Sequence, residues 1–482
     1  MGKLPDFARH SLPRYNRFAM LHRDCSTESR TVGLLLAICA LVASCVGACA
    51  SSTPAPPSPR PTVPVTATPS PTLQASSAAD LTGSEVHLWH SLSGSREATL
   101  LSLASKFEAQ NSAKIRLRIE FHDPLSKEVL VALEAGTPPD IMIASADQVA
   151  ECMQRDAIVP LRSYITDPAY GLSTAEQADL WPIALQATSV VSRTDQVYGI
   201  LLDSQAAVMF YNASWLKRLK APAAPQSWEE FGKVCAATRD RKAGTWGCAF
   251  LPDGPVLVNW ISGLGGSLVD AERQMTTLDS AEAVTALSLL RNYEESGCLY
   301  CVSQPGTNRE DFVAEKVPFT FGSTQELAVY STAIMNAKTK KPRFEWSVAA
   351  LPHLAGQPVV TVEGSLISIL RTLSRQQLAA WMFLKWLLRP ENDAQWALAT
   401  GALPLRMSSK DLPDMQAYLK QNPQYKAACE LLAYAQAEPM LPNWSQIRAL
   451  LSDTATSVCS NNAEPADALA AAQSAADRLV TK

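Results

Sequence analysis

From Glu85 onward the chain alternates between two hydrophobic periods. Glu85–His90 is a short apolar run suited to a buried strand, and Ser91-Leu92-Ser93-Gly94 reads as the turn that follows it. Ala98, Leu100, Leu101, Leu103, Ala104 and Phe107 then recur with helical spacing as far as Gln110. Ile115–Phe121 alternates as a strand does, Leu125–Ala135 is helical, and Gly136-Thr137-Pro138-Pro139 breaks the pattern before the strand Asp140–Ala144. Strand, helix, strand, helix, strand in this order predicts βαβ units and a mostly parallel sheet. Such sheets bind ligands at the carboxyl ends of their strands, which here are the loops His90–Gly94, His122–Asp123 and Ala144–Asp147. Farther along, Leu378–Leu388 reads as an apolar helix stopped by Arg389-Pro390, and Leu469–Leu479 as an Ala-rich C-terminal helix.

Composition narrows the class. With 482 residues, 47% of them apolar and 18% charged, the chain exceeds one ordinary core and suits two or more folded lobes; disordered and fibrous readings fail. The formal charge is −4 and no Lys/Arg block stands out, so nothing marks a nucleic-acid backbone as a partner.

The first 83 residues differ from the rest. Residues 1–30 carry six basic side chains against three acids, and an uncharged apolar run, Thr31–Val46, follows, as in an export signal. Two stretches in it, Val42-Ala43-Ser44-Cys45 and Val46-Gly47-Ala48-Cys49, resemble the bacterial lipobox, in which the cysteine is lipidated and becomes the mature N-terminus. Cys49 is the preferred site, since cutting there leaves no second cysteine beside the anchor; Cys45 is the alternative, and an uncleaved signal anchor the other reading of Val32–Ala50. Translation from Met20 would shorten the long basic leader. Residues 50–79 hold eight of the 32 prolines and one charge, a composition that cannot bury a core and reads as a semi-extended tether. The segments are thus 1–49 as signal and 50–83 as linker.

Seven cysteines lie in the body. An exported location permits disulfides, and the sequence-local candidates are Cys235 with Cys248, Cys298 with Cys301, and Cys429 with Cys459, which leaves Cys152 unpaired. Cys298-Leu-Tyr-Cys301 has no second CxxC or HxxxH partner, so no metal site is expected.

Several motifs in fixed order carry a family resemblance. Leu88-Trp-His-Ser-Leu-Ser-Gly94, Gly136-Thr-Pro-Pro-Asp-Ile-Met-Ile143, Tyr198-Gly-Ile-Leu-Leu-Asp-Ser-Gln205 and Met209-Phe-Tyr-Asn212 are followed by Ser227-Trp-Glu-Glu-Phe231 and Asp311-Phe-Val-Ala-Glu-Lys-Val-Pro-Phe319. Trp346-Ser-Val-Ala-Ala-Leu-Pro352 and Glu438-Pro-Met-Leu-Pro442 complete the series. Together they resemble the extracellular solute-binding proteins of ATP-binding-cassette importers, in the carbohydrate branch that includes maltose- and glycerol-3-phosphate-binding members. The resemblance implies a type II periplasmic-binding-protein-like α/β fold, with lobe one formed by 84–204 and 365–408 and lobe two by 205–364 and 409–482. Hinge crossings would lie near Asp203–Ala206, Glu363–Ser365 and Pro404–Met407. It further implies a monomer without cofactor or catalytic residues that hands a mono- or oligosaccharide to membrane permease subunits.

Sugar recognition calls for flat apolar faces and planar polar groups at cleft loops. By position the ligand-binding candidates are Ser91, Ser93, Asp147, Gln205, Ser323, Thr324, Gln325, Glu363 and Ser365, with Trp260 and Trp444 as the aromatic candidates. Asp147 could equally cap the helix leading to Cys152, and Glu363 beside Gly364 could be a turn residue. Trp89 and Trp228 read as packing residues and His90 as a hydrogen-bonded framework side chain. Ala144 and Thr324 stand where malto-oligosaccharide-binding members carry tryptophan, which argues against that ligand.

Other classes find less support. GxSxG, HExxH and GxxxxGK[ST] are absent from the sequence, although a glycosidase would need only two suitably placed carboxyl groups. Glycerol-3-phosphate or another sugar phosphate is the alternative ligand, but the candidate site contains no Arg or Lys.

Overall fold

The computed structural model describes residues 81–186, 196–221, 223–270, 275–354, 356, 358–460 and 462–480. All belong to one compact unit, Pro69–Lys482. The signal, the lipobox cysteines Cys45 and Cys49 and nearly all of the tether lie outside the described residues. Leu81 is already buried, and Gly83 N donates to the Ala113 carbonyl at 2.9 Å, so the folded body begins before residue 84.

In chain order the strands are β1 (Glu85–His90), β2 (Arg116–Phe121), β3 (Ile141–Ala144), β4 (Ile200–Leu201), β5 (Gln205–Asn212), β6 (Cys248–Phe250) and β7 (Val269–Asp270). There follow β8 (Met275–Thr276), β9 (Leu299–Cys301), β10 (Phe319–Ser323), β11 (Trp346–Ala349), β12 (Val360–Glu363), β13 (Leu366–Ile369) and β14 (Ala435–Ala437). They form two α/β sheets and a small β7–β8 ribbon. The first sheet has the order β2-β1-β3-β13-β4; β1 is parallel to both neighbours, and β13 is antiparallel to β3 and β4. The second has the order β14-β12-β5-β10-β6-β9, with β11 on β5 beyond β12.

The chain therefore leaves the first sheet between Leu201 and Gln205 and returns to it between Glu363 and Leu366. These two passages touch. A Cβ added at Gly364 would stand 1.8 Å from the Asp203 carbonyl oxygen, so the close approach of backbone to backbone requires glycine there. Leu403 N donates to the Ser204 carbonyl at 2.9 Å and brings a third segment alongside.

Burial follows the periods read from the sequence. All four residues of β3 are buried, as expected of a central strand covered on both faces. The helices Ser95–Gln110 and Ser374–Leu387 pack together on the first sheet, with Phe107 edge-on to Phe383 at 5.1 Å and to Trp386 at 5.5 Å. Pro390 opens the next helix, Pro390–Thr400, and Gly401 closes it with φ 79°, the usual asymmetry of helix ends. The second core is aromatic, with Trp228 stacked on Trp260 at 4.0 Å and Phe231, Phe250, Phe319 and Phe321 around them.

The sequence-local disulfides do not form. Cys301 on β9 is bonded instead to Cys459 at the end of the helix Trp444–Cys459, with Cα atoms 6.1 Å apart and 158 positions between them in sequence. Cys235, Cys248, Cys298 and Cys429 are free thiols, as is Cys152. Sheet pairing explains the change: β6 and β9 run side by side, so Cys248 lies against Leu299 in register and Cys301 against Phe250.

Candidate functional site

Three elements converge where the chain passes between the sheets. The helix Ala146–Gln154 starts directly after β3, β12 ends at Glu363 beside the crossing, and the segment after β14 brings Glu438 to the start of the helix Trp444–Cys459. Together they line a narrow groove, open to solvent, through Ser145, Asp147, Glu363, Glu438, Trp444, Ser445 and Arg448. A smaller hollow shares Glu363 and adds Gln205, Asp253 and Ser323.

Of the eleven positions expected from sequence, five line these spaces: Asp147, Gln205, Ser323, Glu363 and Trp444. Asp147 is not the helix cap; Ser145 holds that place, its backbone N–H accepted by Gln148 at 3.1 Å. Ser323 Oγ donates to Gln205 Oε1 at 3.1 Å. Trp260 is 0% exposed, held inside the second core by its stack with Trp228 on a helix that is apolar nearly all round, and it does not reach the groove. Thr324 is buried and its hydroxyl accepts from Ala206 N at 3.0 Å, which fixes the first crossing. Gln325 is exposed on a single 3₁₀ turn, and Ser91 and Ser93 are exposed in the loop after β1; none of the three lines the groove. Ser365 takes part through its backbone carbonyl, which accepts from Leu202 N at 2.8 Å. Trp89, read as a packing residue, stacks on His122 at 3.9 Å; His90 is a framework group whose Nδ1 accepts from Leu92 N at 3.1 Å.

Sequence reasoning missed Glu438, Arg448, Ser445 and Asp253. Arg448 lies four residues after Trp444 and hence on the same helix face, a signal that was available. Its Nη1 bonds Glu363, and also Glu438 Oε2 at 2.8 Å. Trp444 Nε1 donates to the same Glu438 oxygen at 2.7 Å. Across the groove, Ser445 Oγ donates to Asp147 Oδ2 at 2.6 Å.

Electrostatically the groove is acidic. Burial pushes the Glu438 carboxyl up to about 7, Glu363 adds to the push, and Arg448 and Trp444 oppose it. Burial likewise raises Asp253 to about 6, with Glu363 contributing. The guanidinium of Arg448 loses solvation by burial, yet Glu438 and Glu363 hold its pKa above the usual value. Among the described residues no group of His, Cys, Asp and Glu is arranged to hold a metal ion.

Comparison with known proteins agrees with this architecture. A family model, "Bacterial extracellular solute-binding protein", matches residues 102–452, and the chain belongs to that family. It is 22% identical over 421 residues to the sn-glycerol-3-phosphate-binding periplasmic protein UgpB of Escherichia coli K12, covering 82% of this chain and 92% of that protein. The sugar-binding protein MalE from Xanthomonas citri has a similar structure, with TM-score 0.71 and 19% identity over 83% of this chain and 98% of the other. UgpB from Mycobacterium tuberculosis, solved in complex with glycerophosphocholine, gives TM-score 0.62 and 18% identity over 83% of this chain and 99% of the other. The fold is thus that of two-lobed periplasmic binding proteins, and no helix among the described residues is long and apolar enough to cross a membrane.

Proposed function

We propose that this protein is the substrate-binding lipoprotein of an ATP-binding-cassette importer, and that it captures a mono- or oligosaccharide in the groove between its sheets and delivers it to the permease. The observation that carries this reading is the groove itself: polar planar groups and Trp444 gathered at the crossings of a two-lobed fold. Lobe one is 84–204 with 365–408, and lobe two is 205–364 with 409–482. Gln205, Glu363, Asp147 and Ser323 supply hydrogen bonds to hydroxyls, and Trp444, 3% exposed, forms part of the groove wall from within the second core. Ligand bridging the lobes favours the closed form by its differential affinity for that form, and the permease recognises the closed shape.

Glycerol-3-phosphate fits less well. Arg448 is the sole cation lining either space among the described residues, and both Glu363 and Glu438 already hold it. No turnover is proposed: Glu363 and Glu438 share one guanidinium rather than flanking an open space, unlike the carboxyl pair of a glycosidase.

The test is a thermal-shift and calorimetric screen of the purified body against neutral sugars, amino sugars and sugar phosphates, with product analysis alongside. Saturable carbohydrate binding without product supports the reading; sugar consumption, or binding of phosphates alone, overturns it. Anchoring at Cys49 is tested by labelling with a fatty-acid analogue: Cys49→Ser should abolish incorporation, whereas loss with Cys45→Ser moves the anchor to Cys45.

A further inference from the structure

The acidic groove holds an unanswered acceptor. Glu438 is 8% exposed and lines the groove, and its Oε2 is taken by Trp444 Nε1 and Arg448 Nη1. Its other oxygen, Oε1, is buried and has no hydrogen-bond partner. Left unpaired, such an oxygen is unfavourable, and a donor from a bound molecule satisfies it.

Charge narrows what that donor is. Asp147 faces the groove from the helix after β3, Glu363 from β12, Glu438 from the segment after β14, and Arg448 from the helix that also carries Trp444 and Ser445. Asp253 faces the adjoining hollow. A single guanidinium faces three carboxyl groups in the groove itself, Asp147 and Glu363 and, above about pH 7, Glu438. A hydroxyl would satisfy Oε1 but leave that imbalance; an ammonium group answers both, because it carries N–H donors and a positive charge. A trimethylammonium group carries the charge without the N–H, so the orphan oxygen distinguishes the two.

We propose that the ligand bears a protonated primary or secondary amine, as in an amino sugar or amino polyol, which donates to Glu438 Oε1. This rests on the carbohydrate reading above and narrows it.

The experiment uses matched probes with the purified protein: glucose with glucosamine, galactose with galactosamine, sorbitol with 1-amino-1-deoxysorbitol, N-acetylglucosamine as the uncharged amide, and glycerophosphocholine as the trimethylammonium. At least one amine should bind about tenfold or more tighter than its neutral partner, the difference a charged hydrogen bond makes. Glu438→Gln, which places an amide N–H where Oε1 stood, should remove that preference, so that each amine binds no tighter than its neutral partner. A pH series on the unmutated protein gives an independent reading: affinity for 1-amino-1-deoxysorbitol should fall as pH drops below about 7, as Glu438 takes up its proton. Equal or tighter binding of the neutral partners or of N-acetylglucosamine overturns the amine inference and leaves the carbohydrate reading standing, whereas binding of glycerophosphocholine alone overturns both. Binding of no probe counts against both.

Discussion

Ser445 and Asp147, 298 positions apart in sequence, meet across the groove, with the serine hydroxyl donating to the carboxylate at 2.6 Å. Asp147 stands at the start of the helix that follows β3 of the first sheet, and Ser445 at the start of a helix packed on the second core. The contact joins the element after the first sheet to the second core through exposed side chains, so it adds little to folding.

Ser445→Ala should therefore leave thermal stability within about 0.5 kcal/mol while shifting the balance between closed and open forms. An exposed hydrogen bond to a carboxylate is worth about 1 kcal/mol, so ligand dissociation should quicken by about fivefold. Stopped-flow dissociation beside a melting curve measures both; an unchanged off-rate would show that the contact does not hold the closed form.

Glu438 makes stability depend on pH in an unusual direction for a carboxylate. Its pKa is raised from 4.5 to about 7, so its favourable contribution is complete below pH 4.5 and is lost as pH climbs toward 7. Denaturant titrations of the ligand-free protein and of Glu438→Gln between pH 4.5 and 7.5 should diverge progressively, the variant becoming relatively more stable by about 2 kcal/mol. Parallel curves would place Glu438 outside this account.

Gly364 tests the crossing. Alanine there meets the Asp203 carbonyl at 1.8 Å, so either backbone must move, and Gly364→Ala should cost about 3 kcal/mol or more. Gly136→Ala is the control, since φ is 72° but no atom lies within 4 Å, and it should cost about 1 kcal/mol.

The two tryptophans separate packing from binding. Trp260→Ala empties a fully buried site and should cost about 4 kcal/mol without touching ligand contacts. Trp444→Phe removes the Nε1 donor to Glu438 from a side chain that is itself 3% exposed, so affinity should fall about tenfold and stability by about 1–2 kcal/mol, less than for Trp260→Ala. Equilibrium unfolding and calorimetry on both variants check the contrast.

Breaking the Cys301–Cys459 bond releases a loop spanning 158 positions, and the chain-entropy model sets about 5 kcal/mol as the largest expected loss. Cys459→Ser should lower the unfolding free energy by about 2–4 kcal/mol, and reducing agent should have no further effect on that variant.

Much of this architecture was legible in the sequence because it is periodic. The alternation of Ile115–Phe121 and the helical spacing from Ala98 to Phe107 appear in β2 and the first helix nearly residue for residue. Landmarks such as Glu438-Pro-Met-Leu-Pro442 pointed to the family but not to the use of Glu438, because a groove residue is defined by what faces it. Arg448, Glu363 and Asp147 come from three separated segments, and no local pattern states that they meet. Trp260 failed for the reverse reason: an aromatic before a glycine cluster reads equally as a platform or as core. The cysteines show the same limit, since Cys301 finds Cys459 only after β9 and the last helices are assembled.

The position of β13 has a consequence for how the protein is made. It fills the gap between β3 and β4, yet it is synthesised after β5 to β12, so the N-terminal sheet lacks its fourth member until residue 369 exists. A chain emerging from the ribosome thus holds an incomplete sheet for most of its synthesis. Contacts of such long sequence separation form late and slowly. The groove is completed later still, because Glu438, Trp444 and Arg448 follow β13 in the chain.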